Sequence, residues 1–113
     1  MKVVHAAPTE QVSEQLSVKR MTDELEAGKM RANVFTLAEG SMMRHTHREQ
    51  EELYLVLDGT AELEAGGLIH KLGERDAIAV PPGVERRLGN VGWGPLTFVV
   101  VAAPPVEGDG EKR

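Results

Sequence analysis

The chain has 113 residues, 41% hydrophobic and 27% charged, which is the balance of a single globular domain and excludes a collagenous, low-complexity or disulfide-built chain. Its 13 Lys and Arg stand against 18 Asp and Glu, a formal net charge of −5 without a basic cluster, so nucleic acid and anionic membrane surfaces are not expected partners. With no cysteine, it can build no disulfide, thiolate zinc site or cysteine nucleophile.

The first residues, Met1 to Pro8, lack the apolar core of about 7–15 residues that a signal peptide needs. The most apolar run, Leu96 to Ala103, is far shorter than the roughly 20 residues that cross a bilayer as a helix. A cytoplasmic protein is the expectation. Along the chain, short runs rich in leucine and β-branched residues alternate with a period of two, which predicts strands. In order these are Gln15–Met21, Met30–Ala38, Met42–His47, Glu52–Leu57, Thr60–Glu64, Leu68–Leu72, Ala77–Val80, Glu85–Leu88 and Leu96–Ala102. One helical turn is predicted at Thr22–Ala27, capped by Thr22 and ended by Gly28.

Between the runs lie Glu39-Gly40, Asp58-Gly59, Gly66-Gly67, Pro81-Pro82-Gly83 and Gly92-Trp93-Gly94-Pro95, all with turn chemistry. Asp58-Gly59 is a strong hairpin signal because both residues tolerate positive φ. Trp93 reads as a loop residue covering a barrel edge. Short strands at this spacing predict an all-β antiparallel sandwich or barrel. One domain is expected over residues 1–107, with 108–113 a flexible, Gly-rich, charged tail.

The chemistry concentrates after residue 44. His45 and His47 are two apart, so on a strand both imidazoles project from one face. Glu49, Glu51 and Glu52 follow, and a carboxylate that returns on the next strand can face the two rings. Two imidazoles and a carboxylate make a ligand set for iron, manganese, nickel, zinc or copper, and resemble the facial triad of non-heme iron oxygenases. His5 and His70 stand alone and read as surface or structural residues; Met42 and Met43 read as packing. No Walker sequence, Gly-x-Gly-x-x-Gly or Gly-x-Ser-x-Gly is present, so phosphate-loop, dinucleotide and serine-hydrolase chemistry have no footing.

The wider spacing resembles the cupin superfamily. Its first motif, Gly-x5-His-x-His-x3,4-Glu-x6-Gly, is matched from His45 through His47 and Glu52 to Gly59, with Gly40 one place too close. Its second motif, Gly-x5-Pro-x-Gly-x2-His-x3-Asn, falls on Pro81-Pro82-Gly83 and Asn90, but Arg75 stands at the opening glycine and Arg86 at the histidine. The resemblance covers roughly residues 30–102 and implies a jelly-roll or double-stranded β-helix barrel of two packed antiparallel sheets.

It also implies a divalent transition metal (Fe, Mn, Ni, Zn or Cu) on His45, His47 and Glu52, with Glu51 a candidate fourth ligand. The family's last ligand is lost at Arg86, because a guanidinium has no lone pair to offer. Arg86 then has three readings: it clamps a substrate carboxylate, it pairs with Glu52 and replaces the metal, or it turns to solvent. Strand parity puts Tyr54 and Val56 on the face of Glu52, so the Tyr54 hydroxyl is a candidate substrate contact; Leu53, Leu55 and Leu57 take the other face. That face is expected to pack on another sheet or on a second subunit, giving a homodimer as in many cupins.

Such a protein acts on a small, anionic organic molecule by dioxygenase, decarboxylase or isomerase chemistry, with Arg86 orienting the carboxylate. The competing reading is a non-catalytic, metal-free barrel for a small ligand, in which Arg86 pairs with Glu52.

Overall fold

The computed structural model describes residues 1–112. The elements in chain order are β1 (Glu10–Gln11), β2 (Leu16–Lys19), α1 (Met21–Leu25), β3 (Arg31–Leu37), β4 (His45–His47), β5 (Glu51–Asp58), β6 (Ala61–Ala65), β7 (Leu68–Leu72), β8 (Ala77–Val80), β9 (Arg86–Asn90), β10 (Leu96–Ala103) and β11 (Gly110–Lys112). They form a six-stranded sheet, β1-β2-β3-β10-β5-β8, and a five-stranded sheet, β11-β4-β9-β6-β7. Every pairing is antiparallel. No helix among the described residues is long and apolar enough to cross a membrane.

The period-two pattern decides which side chains meet between the sheets. Strand β5 buries Glu52, Tyr54 and Val56, β6 buries Ala61, Leu63 and Ala65, and β9 buries Arg86 and Leu88 while Arg87 stays exposed. Leu96 and Phe98 from β10 complete the apolar core, with Phe35 stacked on Phe98 at 5.5 Å between ring centroids. Each such side chain contributes about 1.5–3 kcal/mol by leaving water. Glu52 and Arg86 enter beside this core, opposite Val80 and Ala65 respectively.

Several local expectations change. The hairpin sits at Gly66-Gly67, where Ala65 faces Leu68 and φ values of 60° and 77° give the two positive angles of a primed turn. Asp58-Gly59 instead carries the chain from one sheet to the other, since β5 and β6 belong to different sheets. A Cβ on Gly59 would stand 2.8 Å from the Pro95 carbonyl oxygen, so the chain crosses against another backbone. Helix α1 starts one residue early, at Met21. Thr22 does not cap it: its hydroxyl accepts the Ala32 N–H at 3.1 Å and ties the helix to β3. Glu26, not Gly28, ends the helix in the left-handed region.

The tail is the largest difference. Gly110–Lys112 form β11 on β4, and Asp109 is 3% exposed. Composition alone could not reveal it, because the partners of this segment lie some 60 residues earlier. Strand β1 was likewise missed in a polar stretch. Trp93 covers no edge: its side chain is fully exposed. Leu53 and Leu57 are also exposed.

Asn90, at the family's motif position, fastens the fold. Its Nδ2 donates to the carbonyls of Leu37, Ala38 and Gly94, and its Oδ1 accepts the Gly92 N–H. Arg75, at the other motif position, has φ of 70°, a left-handed angle that suits glycine.

Candidate metal centre

Strands β4 and β9 are neighbours, with His45 directly opposite Arg86, so both side chains enter the sandwich from the five-stranded sheet. Glu52 enters from the six-stranded sheet, between Val80 and Ala102. The site therefore bridges the two layers. His45 Nε2 lies 3.3 Å from Glu52 Oε1, and His47 Nε2 lies 3.2 Å from Oε2. The two rings are edge to face, 4.9 Å between centroids.

These three residues form a group whose ligand atoms all lie within 4.8 Å of one another. Donors bound to one ion at about 2.1 Å stand about 3.0–3.4 Å apart, which is the spacing of the two contacts from the histidines to Glu52. Protonation supports the fit. His45 Nδ1 sits 3.2 Å from the Met43 carbonyl, which can only accept. Nδ1 is then the protonated nitrogen, and in the neutral ring the Nε2 lone pair faces a carboxylate oxygen. Only a cation or a second proton between them removes that opposition.

The electrostatics keep the donor set in ligand form. Burial lowers the His47 pKa; the charges of Glu52 and Asp109 oppose this, while His45 and Arg86 reinforce it, and the balance favours the neutral ring. For Glu52, burial favours the neutral acid. A hydrogen bond from Tyr54, and the hydrogen bond and charges that the histidines bring once protonated, outweigh it, and the pKa falls to about 2. Tyr54 donates its hydroxyl proton to Glu52 Oε1 at 2.7 Å, and burial with the adjacent carboxylate pushes its pKa well up, so the phenol keeps its proton.

Arg86 is fully buried, and the solvent-facing reading falls. Nη1 donates to Glu52 Oε1 at 2.7 Å, Nε to the Val84 carbonyl at 2.9 Å and Nη2 to the Pro81 carbonyl at 3.1 Å. Its donors are thus turned toward Glu52 and backbone, behind the carboxylate. Arg86 does not line the cavity in front of the site, so the carboxylate clamp expected for it has no geometry here. The ion pair of the second reading forms, and it says nothing by itself of the metal's replacement. It occupies Oε1 and leaves Oε2 toward His47. Glu51, the candidate fourth ligand, is exposed and lies outside the His45, His47 and Glu52 group.

The cavity itself has a volume of about 630 Å³. His45, His47, Glu52 and Tyr54 stand in its wall, with Phe35, Leu37, Met42 and Val100 as apolar lining. Leu16 and Val12, from the N-terminal strands, close one side, and Glu39 and Ser41 add polar groups. Among the described residues, no Lys or Arg lines it.

Asp109 is the site residue that the sequence did not reveal. Burial favours its neutral form, but the N–H groups of Gln50 and Glu49 hold its pKa below the usual value, and its Oδ2 lies 3.5 Å from His47 Nδ1.

The comparisons agree with this architecture. The family model described as cupin domain matches residues 33–102. A sugar phosphate isomerase of the cupin superfamily from Silicibacter pomeroyi superposes with a TM-score of 0.73 at 28% identity, over 79% of this chain and 59% of that one. The chain thus spans about six-tenths of that relative. A predicted oxalate decarboxylase from Thermotoga maritima gives 0.77 at 19% identity, over 89% of this chain and 97% of that one. The polyketide cyclase RemF from Streptomyces resistomycificus gives 0.74 at 24%, over 90% and 78%. No curated protein sequence matches the chain. With the family matched over most of its length, on two antiparallel sheets that enclose a His-His-Glu group, the chain belongs to the cupin family.

Proposed function

We propose that this cupin binds one divalent transition metal on His45, His47 and Glu52 and acts with it on a small, largely apolar organic molecule held in the adjoining cavity. The observation that carries the reading is the spacing of the three donors, 3.2 and 3.3 Å across the two contacts, at the wall of a cavity of about 630 Å³. When bound, such an ion supplies a Lewis acid that polarises a carbonyl or hydroxyl oxygen. The chain's own residues do the rest. Tyr54 keeps a proton on its oxygen and holds Glu52 in place. Arg86 offsets the buried charge of Glu52 from behind. The apolar wall of Phe35, Leu37, Met42 and Val100 excludes water and orients the substrate.

The substrate proposed here differs from the anionic molecule expected from sequence. Among the lining residues the charged groups are acidic or imidazole, and Arg86 is turned away. A free carboxylate would meet Glu39 at a wall that carries no Lys or Arg among the described residues, while Arg86 is already engaged by Glu52. Similarity to a sugar phosphate isomerase and a predicted oxalate decarboxylase favours isomerase or lyase chemistry.

One observation favours a second reading. The Arg86–Glu52 pair at 2.7 Å neutralises the ligand set, and a neutral site attracts a divalent cation less than an anionic one. The alternative is a metal-free barrel that carries a small ligand without chemistry. Metal analysis by plasma mass spectrometry on untagged protein and on His47→Ala decides between them. Near-stoichiometric metal in the wild type that disappears in the variant supports the first. No metal, even after loading with several divalent ions, leaves the ligand-binding barrel.

A further inference from the structure

Residues 108–112 lie outside the stretch that the family model matches, yet they reach the site. Strand β11 runs antiparallel to β4, with Gly110 opposite His47. Asp109 stands just before it, 3% exposed. Its carboxylate accepts the Glu49 N–H at 2.9 Å on Oδ1 and 3.1 Å on Oδ2, and the Gln50 N–H at 2.9 Å on Oδ2. Those donors belong to the turn that carries the chain from His47 to Glu52, so one side chain pins the link between the ligand strands. The same Oδ2 is 3.5 Å from His47 Nδ1, a buried nitrogen with no hydrogen-bond partner. Gly110 leaves room for the ring: a Cβ there would stand 3.2 Å from His47 Cε1 and 3.6 Å from Nδ1.

We propose that this C-terminal strap is a built part of the centre, with Asp109 the positioning residue that selects the Nδ1-protonated form of His47 and turns Nε2 toward Glu52 and a bound cation. The physical reason is the two-sidedness of imidazole. A neutral ring has one donor and one acceptor, and whichever nitrogen meets a carboxylate takes the proton. His47 faces one carboxylate on each side, Glu52 at 3.2 Å and Asp109 at 3.5 Å. Glu52 Oε1 already accepts from Tyr54 and Arg86, which draws charge away from that carboxylate. Asp109 balances the competition in favour of Nδ1–H and frees Nε2 to ligate. The centre then depends on a segment outside the family-matched stretch, and a chain cut before Asp109 would hold its ligands loosely.

The affinity part of this inference rests on the metal reading above, whereas the proton part does not. Both are tested with Asp109→Asn, which keeps the shape and one acceptor oxygen, and with Gly110→Ala, which keeps Asp109 but crowds the ring. Co2+ titration followed by its visible spectrum, on protein shown to be folded by circular dichroism, should give roughly 10–100-fold weaker binding for Asp109→Asn. Gly110→Ala should weaken binding and alter the spectrum. In metal-free protein, side-chain 15N shifts should show His47 moving toward its Nε2–H form in Asp109→Asn.

Unchanged His47 shifts in Asp109→Asn would overturn the proposal. So would wild-type Co2+ affinity in a folded Asp109→Asn that merely melts lower, since Asp109 would then only pin the strap. If Asp109→Asn fails to fold, unchanged affinity and shifts in Gly110→Ala overturn it instead. Wild-type protein that binds no Co2+ sinks the metal reading, and the nitrogen shifts still decide the role of Asp109.

Discussion

Glu52 is the residue on which the site turns, because it answers to two demands. Its Oε1 accepts from Tyr54 and Arg86, and its Oε2 faces His47. A carboxylate 9% exposed stays ionised in such a place only while it is paired and hydrogen-bonded. With a folded pKa of about 2 against the ordinary 4.5, the sign is set. The ionised Glu52 stabilises the fold fully above pH 4.5, and the contribution drains away as pH falls from there toward 2, for a total of about 3 kcal/mol. Urea unfolding in the presence of a chelator should show that loss between pH 5 and pH 2.5. Tyr54→Phe removes one donor to Glu52, so it should cost about 1–2 kcal/mol at pH 7 and move the acid limb to higher pH. An acid limb that does not move in Tyr54→Phe would show that the hydroxyl does not hold the carboxylate.

At the scale of elements, strand parity and turn chemistry behaved differently. Parity is local and period-two, so the shared face of Glu52, Tyr54 and Val56 is legible in the sequence, whereas the direction of Arg86, inward or to solvent, is not. Turn chemistry names residues that permit a sharp change of direction but not the sheet to which the chain returns. Asp58-Gly59 and Gly66-Gly67 look alike in sequence; one crosses between layers and the other closes a hairpin. Gly59 carries the crossing, with φ of 96° and no room for a Cβ against Pro95 and Leu96. Gly59→Ala should destabilise by about 2–4 kcal/mol in denaturant unfolding. Gly28→Ala, in open space and without a left-handed φ, should stay within about 0.5 kcal/mol. Equal effects of the two would show that the crossing is not tight.

For the whole molecule, the outer face of the six-stranded sheet is the feature left over. Leu53, Leu55 and Leu57 on β5 lie beside Val99 and Val101 of β10 and Ala77 and Ala79 of β8. Leu53 and Leu57 are 39% and 45% exposed. Apolar side chains side by side over three strands form a patch of the kind that marks association. We propose that a second copy covers it, because a flat apolar face matches itself about a two-fold axis. Light scattering at micromolar concentration should give twice the chain mass, and Leu53→Glu should return it to one. A strict monomer in the wild type removes the dimer.

The sequence alone determined the all-β class, the positions of most strands, and the three residues of the candidate metal group. Those follow from periodicity and from a motif in which His45, His47 and Glu52 lie within eight residues of one another. It left open whether Arg86 enters the sandwich or turns to solvent. Tertiary structure decided that Arg86 lies behind Glu52 and not in the cavity, that Glu51 faces out, and that the last residues return to brace His47 through Asp109. The reason is the same in each case. A strand's pattern states which side of the sheet a side chain takes, whereas its partner across the sandwich comes from a strand tens of residues away, and only the packing of the two layers brings those atoms within reach.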